Sequence, residues 1–419
     1  MYAFKIKGQN VLNGTIEVKG AKNAVLPLMA AALLTDEQVC LKNIFYLADV
    51  RVMSNLLASL GMKITQHEDS VCLQADNINN LTASYDYVSK MRASFWVLGP
   101  LLGRFGKASV SLPGGCAIGA RPVDLYLMAL EKMGAVISIE NGYVNAVGKL
   151  KGAEITFPKK SVGATHNTVM AAVLADGVTT IFNPALEPEV MDLIDALKKM
   201  GAKIDGAGTN KLTITGVKKL HGITHNVITD RIETASFAIA AAVTKGHIFI
   251  KGGRMDFMQP IADALHMSDV KLIQNMEGLE VDARNATLRA TSITTAEYPG
   301  FPTDAQAPYT ALLALANGES LVNEAIFENR FMHVPELDRM GAQITVLPND
   351  TIYIKGVEKL SGATVMSSDL RGGMALVIAA LAAFGETIVK RIYHIDRGYY
   401  KLEERLKNLG ADIERIQED

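Results

Sequence analysis

The hydrophobic and polar positions of this 419-residue chain follow two patterns, and each pattern returns six times. The first pattern is an amphipathic segment with apolar residues three and four positions apart, which predicts a surface helix with one buried face. Five copies end in an apolar residue, a glycine and another apolar residue. A glycine in this place favours the left-handed conformation that ends a helix, and the alternating residues behind it predict a strand. The five endings and one degenerate copy are Leu60-Gly61-Met62, Met133-Gly134-Ala135, Met200-Gly201-Ala202, Met340-Gly341-Ala342, Leu409-Gly410-Ala411 and Met267-Ser268-Asp269.

The second pattern is an Ala-rich apolar segment that opens on a polar residue or a glycine. Its copies begin, 67 to 73 residues apart, at Lys22, Arg92, Gly163, Arg231, Asp304 and Arg371. A helix that is apolar on every side is buried on every side. Each repeat therefore supplies one interior helix, one outer helix and the strands around them.

Six repeats of this kind predict an α/β protein with two similar domains, each built from three βαβαββ-type units. They resemble the inside-out α/β barrels, in which helices fill the middle and sheets form the wall. The opening hairpin lacks a helical half and the last strand lacks a hairpin, so the two chain ends should complete one repeat. The predicted domains are residues 21–229 and residues 1–20 plus 230–419. We expect the active site in the crevice between the two domains.

Composition and charge exclude several classes of protein. The 42 Lys and Arg residues balance 44 Asp and Glu residues, which argues against a polybasic nucleic-acid or membrane-surface binder. Three cysteines do not make a disulfide framework, and no Cys/His cluster has zinc spacing. We interpret Cys40 and Cys72, in strand-like segments, as small core residues. With no signal peptide and no apolar run of membrane-spanning length, a cytoplasmic protein without a metal is expected.

Two features point to chemistry on anions. Several interior helices begin with Lys or Arg, which opposes the helix dipole and is best explained by an anionic substrate, although solvated caps are the alternative. The segment of residues 113–122 holds three glycines, Cys116 and Arg121, which predicts a mobile lid. A thiol in such a loop, near an arginine, is a candidate for reactivity.

These segments together resemble the UDP-N-acetylglucosamine enolpyruvyl transferase family over essentially the whole chain. The segments that carry the resemblance are Lys22-Asn23, Arg92-Ala93-Ser94, residues 113–122, Phe301-Pro302-Thr303-Asp304, residues 327–333 (FENRFMH), Asp369-Leu370-Arg371 and residues 394–398. The resemblance implies transfer of the enolpyruvyl group of phosphoenolpyruvate to the 3-hydroxyl of UDP-N-acetylglucosamine, with release of phosphate. This is the first committed step of peptidoglycan precursor synthesis. It implies two small-molecule substrates and no cofactor, nucleic acid or membrane partner.

The resemblance also implies residue roles. Cys116, Asp304, Lys22 and Arg397 are the expected catalytic residues, with Asp304 as the base that takes the sugar hydroxyl proton or as a helix-capping carboxylate. The phosphate of phosphoenolpyruvate is expected at Lys22, Arg121 and Arg397, with Arg330 and Arg371 near its carboxylate or in the network of the closed state. The expected nucleotide-sugar residues are Asn23, Arg92, Arg121, Pro122, Val123, Asp124, Leu125, Lys160, Ser161, Val162, Gly163 and Ile326. Two positions depart from the family pattern: His166 replaces a common acidic residue, and Pro308 is expected to disturb the helix that Asp304 opens.

Three alternatives stay open at this point. A 5-enolpyruvylshikimate-3-phosphate synthase shares fold and donor but needs neither Cys116 nor the uridine-binding segments. RNA 3′-terminal phosphate cyclases have related repeats, yet the charge balance disfavours RNA. A catalytically silent binding protein is disfavoured by the presence of Lys22, Cys116, Asp304 and Arg397.

Overall fold

The structure is a computed structural model that describes residues 2–113 and 123–418. Short 3₁₀ helices lie at Ala32–Leu34, Arg92–Val97, Met255–Met258 and Ile392–Arg397. The α-helices are α1 (Lys22–Ala31), α2 (Ala48–Ser59), α3 (Tyr85–Val88), α4 (Leu98–Phe105), α5 (Asp124–Lys132), α6 (Val162–Ala172), α7 (Pro188–Lys199), α8 (Arg231–Val243), α9 (Gln259–Met267), α10 (Thr303–Leu313), α11 (Val334–Arg339), α12 (Leu370–Ala382) and α13 (Leu402–Asn408). Within this described part of the chain, no helix is both long and apolar enough to cross a membrane.

The strands are short and alternate with the helices. They are β1 (Tyr2–Lys7), β2 (Asn13–Glu17), β3 (Gln38–Lys42), β4 (Lys63–Gln66), β5 (Ser70–Gln74), β6 (Thr82–Ala83), β7 (Lys107–Ser111), β8 (Val136–Glu140), β9 (Tyr143–Val147), β10 (Glu154–Thr156), β11 (Val178–Phe182), β12 (Lys203–Asp205), β13 (Lys211–Thr215), β14 (Ile223–Asn226), β15 (His247–Lys251), β16 (Lys271–Gln274), β17 (Gly278–Asp282), β18 (Ile293–Thr294), β19 (Glu319–Asn323), β20 (Gln343–Leu347), β21 (Thr351–Lys355), β22 (Thr364–Met366), β23 (Glu386–Lys390) and β24 (Asp412–Gln417).

The strands of the described residues form six four-stranded sheets, one for each repeat. Each sheet joins one parallel strand pair to two antiparallel pairs, as in the order β18-β19-β21-β20. The sheet β22-β23-β1-β24 combines the two ends of the chain, with Phe4 opposite Val389 and Ile6 opposite Ile413. The chain ends therefore complete one repeat together, as the sequence predicts.

Contacts divide the described residues into two compact units. We call residues 2–18 and 229–418 the terminal unit, and residues 19–113 and 123–228 the insert unit. Each unit contains three of the six sheets. That residues 21–229 and residues 1–20 plus 230–419 fold as two separate domains stays a prediction.

The Ala-rich segments are interior helices, as their uniformly apolar pattern predicts. Every residue of α8 is buried, and in the terminal unit α8, α10 and α12 pack against one another. In the insert unit α4 packs against α6, and α1 packs against the 3₁₀ helix of residues 92–97. Arg92 thus opens a 3₁₀ turn rather than the predicted α-helix, which begins at Leu98. Removing these apolar faces from water stabilises the centre of each unit.

The outer helices end at the predicted glycines. Gly61, Gly134, Gly201, Gly341 and Gly410 all have φ between 93° and 104°. A residue with a Cβ is strained in this region, and asparagine and aspartate tolerate it best. The degenerate copy follows the same rule, because Asp269 takes the glycine position with φ of 69°.

Cys40 and Cys72 form a disulfide between β3 and β5, where they stand directly opposite each other. Strand side chains alternate between faces, and Val39 and Leu41 occupy the buried face of β3. Cys40 consequently lies on the other, partly exposed face. The interpretation of these cysteines as small core residues, with no disulfide in the chain, is wrong.

Candidate active site

The terminal unit places Asp304 between two buried arginines. Arg330 Nη2 lies 2.7 Å from Asp304 Oδ1, and Arg371 Nη2 lies 3.0 Å from Asp304 Oδ2. The two arginine side chains are 5% and 4% exposed, whereas that of Asp304 is 27% exposed. Paired charges of this kind satisfy each other where burial removes them from most of the solvent.

Helix starts position two of these three residues. Asp304 is the second residue of α10, and Arg371 is the second residue of α12. Asp369 caps α12, because its Oδ1 accepts from the backbone N–H groups of Arg371 and Gly372 at 2.9 and 3.1 Å. The capped first turn fixes the point from which the Arg371 side chain extends. Asp304 itself does not cap α10, because it lies inside the helix and Pro302 occupies the cap position.

The expectation that Pro308 disturbs the helix of Asp304 is wrong. Helix α10 continues through Pro308 to Leu313. A proline has no N–H for the carbonyl four residues earlier, so the backbone carbonyl of Asp304 lacks its usual helical donor. Helix α1 has the same arrangement, since Pro27 follows Asn23 by four residues. In both helices the backbone carbonyl without its helical donor belongs to a predicted site residue, Asn23 in α1 and Asp304 in α10.

The charges around Arg371 keep this residue cationic. Burial alone would lower the pKa of Arg371, but the charges of Asp304 and Asp230 and the hydrogen bond with Tyr399 raise it above its usual range. Arg371 Nη1 also donates to Tyr399 Oη at 3.1 Å. Burial raises the pKa of the Tyr399 hydroxyl, which therefore stays protonated. The sequence interpretation missed Tyr399, although it follows Arg397 by only two residues.

Arg397 ends the 3₁₀ helix Ile392–Arg397, which packs against α12. Burial, and after it the charge of Arg397, lowers the pKa of His394. His333, in the FENRFMH segment, is buried and its pKa falls to about 4, mainly through desolvation. Both histidines are therefore neutral near pH 7, which makes them poor partners for a phosphate.

In the insert unit, Lys22 opens α1 and pairs with a buried carboxylate. Lys22 Nζ lies 3.2 Å from Asp49 Oδ2, and the two side chains are 12% and 4% exposed. Among the described residues, no side chain caps this helix end. The ion pair holds the ammonium group at the N-terminus of an interior helix.

The predicted uridine diphosphate segments meet at the starts of α5 and α6. Ser161 caps α6, with its Oγ accepting from the backbone N–H of Ala164 at 3.3 Å. Gly163 is required by packing, because a Cβ there would lie 1.7 Å from the hydroxyl of Tyr126 on α5. Val123 and Leu125 at the start of α5 are buried, and Asp124 between them is exposed. Two segments that are distant in sequence therefore share one surface of the insert unit.

Aromatic residues next to Arg92 join the same surface. Phe95 stands edge-to-face with Tyr126 at 5.5 Å, and Trp96 with His166 at 5.2 Å. Asn167 Oδ1 accepts from the backbone N–H of Gly99 at 2.8 Å. Burial lowers the pKa of His166 to about 4, so this departure from the family pattern adds a neutral ring.

The remaining predicted residues lie outside these clusters or outside the residues that the structure describes. Ile326 is partly buried in the loop behind β19. Asn23 and Lys160 are partly buried at the starts of α1 and α6. Cys116, Arg121 and Pro122 lie outside the described residues.

Two relatives resemble the chain over nearly its whole length. A UDP-N-acetylglucosamine 1-carboxyvinyltransferase of Rhodopseudomonas palustris (strain TIE-1) is 53% identical over 99% of this chain and 100% of that protein. One from Granulibacter bethesdensis, with the same name, is 51% identical with the same coverage. The chain belongs to the UDP-N-acetylglucosamine 1-carboxyvinyltransferase family.

Family models and solved structures agree with this membership. The model described as EPSP synthase (3-phosphoshikimate 1-carboxyvinyltransferase) matches residues 6–406. The crystal structure of the enolpyruvyl transferase NikO from Streptomyces tendae superposes with a TM-score of 0.90, at 25% identity over 99% of both chains. An EPSP synthase from Acinetobacter baumannii superposes with a TM-score of 0.77 at 18% identity over 100% of both chains, which shows a common fold. The predicted enolpyruvyl-transferase architecture of repeated α/β units is confirmed.

Proposed function

We propose that this chain transfers the enolpyruvyl group of phosphoenolpyruvate to the 3-hydroxyl of UDP-N-acetylglucosamine and releases phosphate. The observation that carries the proposal is the placement of Asp304 between Arg330 and Arg371 in a member of the 1-carboxyvinyltransferase family. The site combines a partly exposed carboxylate that can accept a proton with two cations that can receive an anionic donor molecule. The product is the first committed precursor of peptidoglycan.

The reaction is an addition followed by an elimination. Asp304 takes the proton of the sugar 3-hydroxyl while the oxygen bonds to C2 of phosphoenolpyruvate, and Cys116 gives a proton to the methylene carbon. The C2–O bond to phosphate then breaks as the methyl group returns a proton to the thiolate of Cys116, the double bond forms again, and the phosphate leaves with the proton that Asp304 accepted. Atoms balance without an oxidant, a metal or a cofactor.

The ion pairs of Asp304 suit this sequence of events. Both carboxylate oxygens of Asp304 accept from arginines. A phosphoenolpyruvate carboxylate can accept the same N–H donors, because guanidinium groups bind carboxylates through paired hydrogen bonds. Binding of the donor would then free an oxygen of Asp304 for the sugar hydroxyl. We assign Arg330 and Arg371 to the carboxylate on this ground.

Other cations match the remaining negative charge of the substrates. Lys22, Arg121 and Arg397 are the proposed partners of the phosphate of phosphoenolpyruvate. The phosphate is the leaving group, so cations that bind it most strongly in the transition state raise turnover.

The insert unit supplies all but one of the proposed nucleotide-sugar residues. Residues 121–125 and 160–163 are assigned to the uridine diphosphate portion, supported by the close approach of Gly163 to Tyr126. Asn23 and Arg92 are assigned to the sugar and the diphosphate, and Ile326 of the terminal unit is assigned to the sugar. We further propose that residues 21–229 and residues 1–20 plus 230–419 are the two enolpyruvyl-transferase domains, and that the enzyme acts in the cytoplasm on these two small molecules, without nucleic acid or membrane.

Phosphate release from phosphoenolpyruvate tests the function and the choice of acceptor. The enzyme is incubated with UDP-N-acetylglucosamine in one arm, shikimate 3-phosphate in a second and no acceptor in a third. We expect release only in the first arm. Release with shikimate 3-phosphate alone would assign the chain to the EPSP synthase activity, and no release in any arm would contradict the proposed function.

A further inference from the structure

Glu324 is a buried carboxylate of the terminal unit to which no role has been given above. It follows β19 directly, is 2% exposed, and accepts four hydrogen bonds. Its Oε1 accepts from Thr295 Oγ1 at 2.8 Å and from the backbone N–H groups of Ile326 and Phe327 at 3.0 and 3.2 Å. Its Oε2 accepts from Thr303 Oγ1 at 2.7 Å.

The hydrogen bond from Thr303 connects Glu324 with the proposed base, Asp304, by way of Arg330. Thr303 Oγ1 accepts from Arg330 Nη1 at 2.7 Å, and Arg330 Nη2 donates to Asp304 Oδ1, also at 2.7 Å. A hydroxyl group has one hydrogen and two lone pairs. Since Thr303 gives its hydrogen to Glu324, it turns lone pairs toward the guanidinium group of Arg330. The carboxylate of Glu324 thus determines which group donates and which accepts in each hydrogen bond of the series Glu324, Thr303, Arg330 and Asp304.

The same carboxylate holds the segment that leads from β19 to Arg330. Two backbone N–H groups donate to it, and Ile326, the expected sugar contact, is one of these donors. Thr295 Oγ1, which donates to Glu324, also accepts from the backbone N–H of Ala325 at 2.9 Å. The loop conformation and the orientation of Arg330 therefore depend on one buried side chain.

We propose that Glu324 is a positioning residue for the transfer reaction, acting through Thr303 on Arg330 and Asp304 and through the backbone on Ile326. The inference rests on the proposed function. When Asp304 accepts a proton or releases Arg330 to a donor carboxylate, the hydrogen bond to Thr303 still holds the guanidinium group in place. Catalytic groups need this support because small displacements cost large factors in rate.

Substitution of Thr303 tests the central link of this network. Thr303→Val keeps the shape of the side chain and removes the oxygen, and we expect kcat to fall about tenfold, the loss of one hydrogen bond to a charged group. KM for phosphoenolpyruvate should rise, because Arg330 is the proposed partner of its carboxylate, while KM for UDP-N-acetylglucosamine stays nearly unchanged. Thr303→Ser restores the oxygen and should recover most of kcat. Thr310→Val is the matched control, since Thr310 lies in the same helix and bonds only Gln306 in the described contacts. It should keep the kcat of the unchanged enzyme.

Glu324→Gln provides a second variant with a distinct signature. An amide at this position cannot accept four hydrogen bonds through two oxygens, so both the relay and the loop are affected. We expect a lower kcat together with a higher KM for UDP-N-acetylglucosamine. A Thr303→Val enzyme with unchanged kcat, or a Thr310→Val enzyme with the same loss, would overturn the inference.

A crystal structure of Thr303→Val separates this inference from the proposed function. We expect the guanidinium group of Arg330 to leave its position, with Nη2 more than 3.5 Å from Asp304 Oδ1, beyond hydrogen-bond distance. An ion pair still at the 2.7 Å of the unchanged protein would refute the positioning role, whatever the activity. If the unchanged enzyme releases no phosphate, the proposed function fails while this structural outcome still decides the inference.

Discussion

The terminal and insert units share one repeat but place different chemistry at the starts of their interior helices. In the terminal unit these starts carry Asp304 and Arg371, both ion-paired. In the insert unit Lys160 lies just before α6, and Trp96, His166 and Asn167, which lie in or against the first turns of this helix, are neutral. The indole Nε1 of Trp96 and the Nδ2 of Asn167 are buried without a hydrogen-bond partner among the described residues.

The difference shows how one fold can divide the work of a transferase. Buried charges must be paired, so the terminal unit holds its cations and its carboxylate in fixed positions before any substrate binds. Neutral polar groups cost less to bury and bind through shape and directed hydrogen bonds. We therefore assign removal of the sugar hydroxyl proton and binding of the donor carboxylate to the terminal unit, and recognition of the nucleotide to the residues around α6.

The largest expected effect is that of replacing Cys116, which lies outside the described residues. If Cys116 were unnecessary, Asp304 would have to carry out both proton transfers. We expect Cys116→Ala to lower turnover by at least about a thousandfold, the upper range for acid–base catalysis, and Cys116→Asp to keep turnover.

As the family resemblance implies, the antibiotic fosfomycin should alkylate Cys116, and the Asp variant should escape it. Intact-mass analysis with UDP-N-acetylglucosamine present should show one modification, absent in Cys116→Asp. A Cys40→Ser, Cys72→Ser variant should remain active and labelled, whereas full activity of Cys116→Ala would remove the thiol from the mechanism.

The next effect tests the carboxylate of the terminal unit. Asp304→Asn keeps size and hydrogen bonding but removes the base, so kcat should fall by about a hundredfold or more. Asp192→Asn makes the same change in the insert unit, where Asp192 bonds His225 at 2.9 Å. Steady-state phosphate release should show wild-type-like kcat for Asp192→Asn. If both variants lose the same factor, the comparison between the units does not hold.

Lys22 sharpens the comparison, because it is a cation at a helix start of the insert unit. Lys22→Ala should lower kcat/KM for phosphoenolpyruvate by about tenfold to a hundredfold, since charge-assisted contacts to a phosphate are lost. Lys63→Ala, which removes an exposed ion pair with Asp76, is the control and should change neither kinetics nor melting temperature appreciably. A large fall in melting temperature with normal kinetics would give Lys22 a purely structural role through Asp49.

The last expected effect is on stability and not on activity, and it concerns two buried histidines whose pKa is lowered, one in each unit. The pKa of His166 and that of His333 are each about 4 in the folded protein, against 6.5 without burial. Between these values the unfolded chain binds a proton that the folded chain does not, so stability is complete above pH 6.5 and falls as the pH approaches 4. Each histidine should lower the free energy of unfolding by roughly 3 kcal/mol as the pH falls from 6.5 to 4.

Denaturant unfolding can follow the two units separately in this pH range. Trp96 is the single tryptophan of the chain and touches His166, so its fluorescence reports the insert unit, while circular dichroism reports the whole molecule. His166→Gln should flatten the pH dependence of the fluorescence transition between pH 7 and 4.5. An unchanged slope would show that His166 is not the group that titrates on unfolding.

Much of this architecture could be predicted from the sequence because each repeat carries its own signals. The glycine after each outer helix and the uniformly apolar interior segments locate the helix ends, and even Asp269 obeys the conformational rule for that glycine. The resemblance to the family indicated Asp304, Arg330 and Arg371 as site residues, which the fold brings together.

The rest depends on contacts that alternate along strands or join distant segments. The sequence pattern did not separate the two faces of β3, so the partner of Cys40 was missed. Glu324 and Thr303 are 21 residues apart, and only the folded chain shows that they bond each other. An acidic residue directly behind a strand was the available signal for Glu324, but it does not identify the donors that satisfy the carboxylate.

The most direct test of the account is the structure of the reaction product. The enzyme is incubated with UDP-N-acetylglucosamine and phosphoenolpyruvate labelled with ¹³C at C2, and the nucleotide-sugar fraction is analysed by NMR. We predict an enol ether whose labelled carbon couples to the proton at position 3 of the sugar, formed together with one phosphate per molecule. A label that stays in phosphoenolpyruvate or pyruvate, or that attaches to another hydroxyl group, would contradict the proposed transfer.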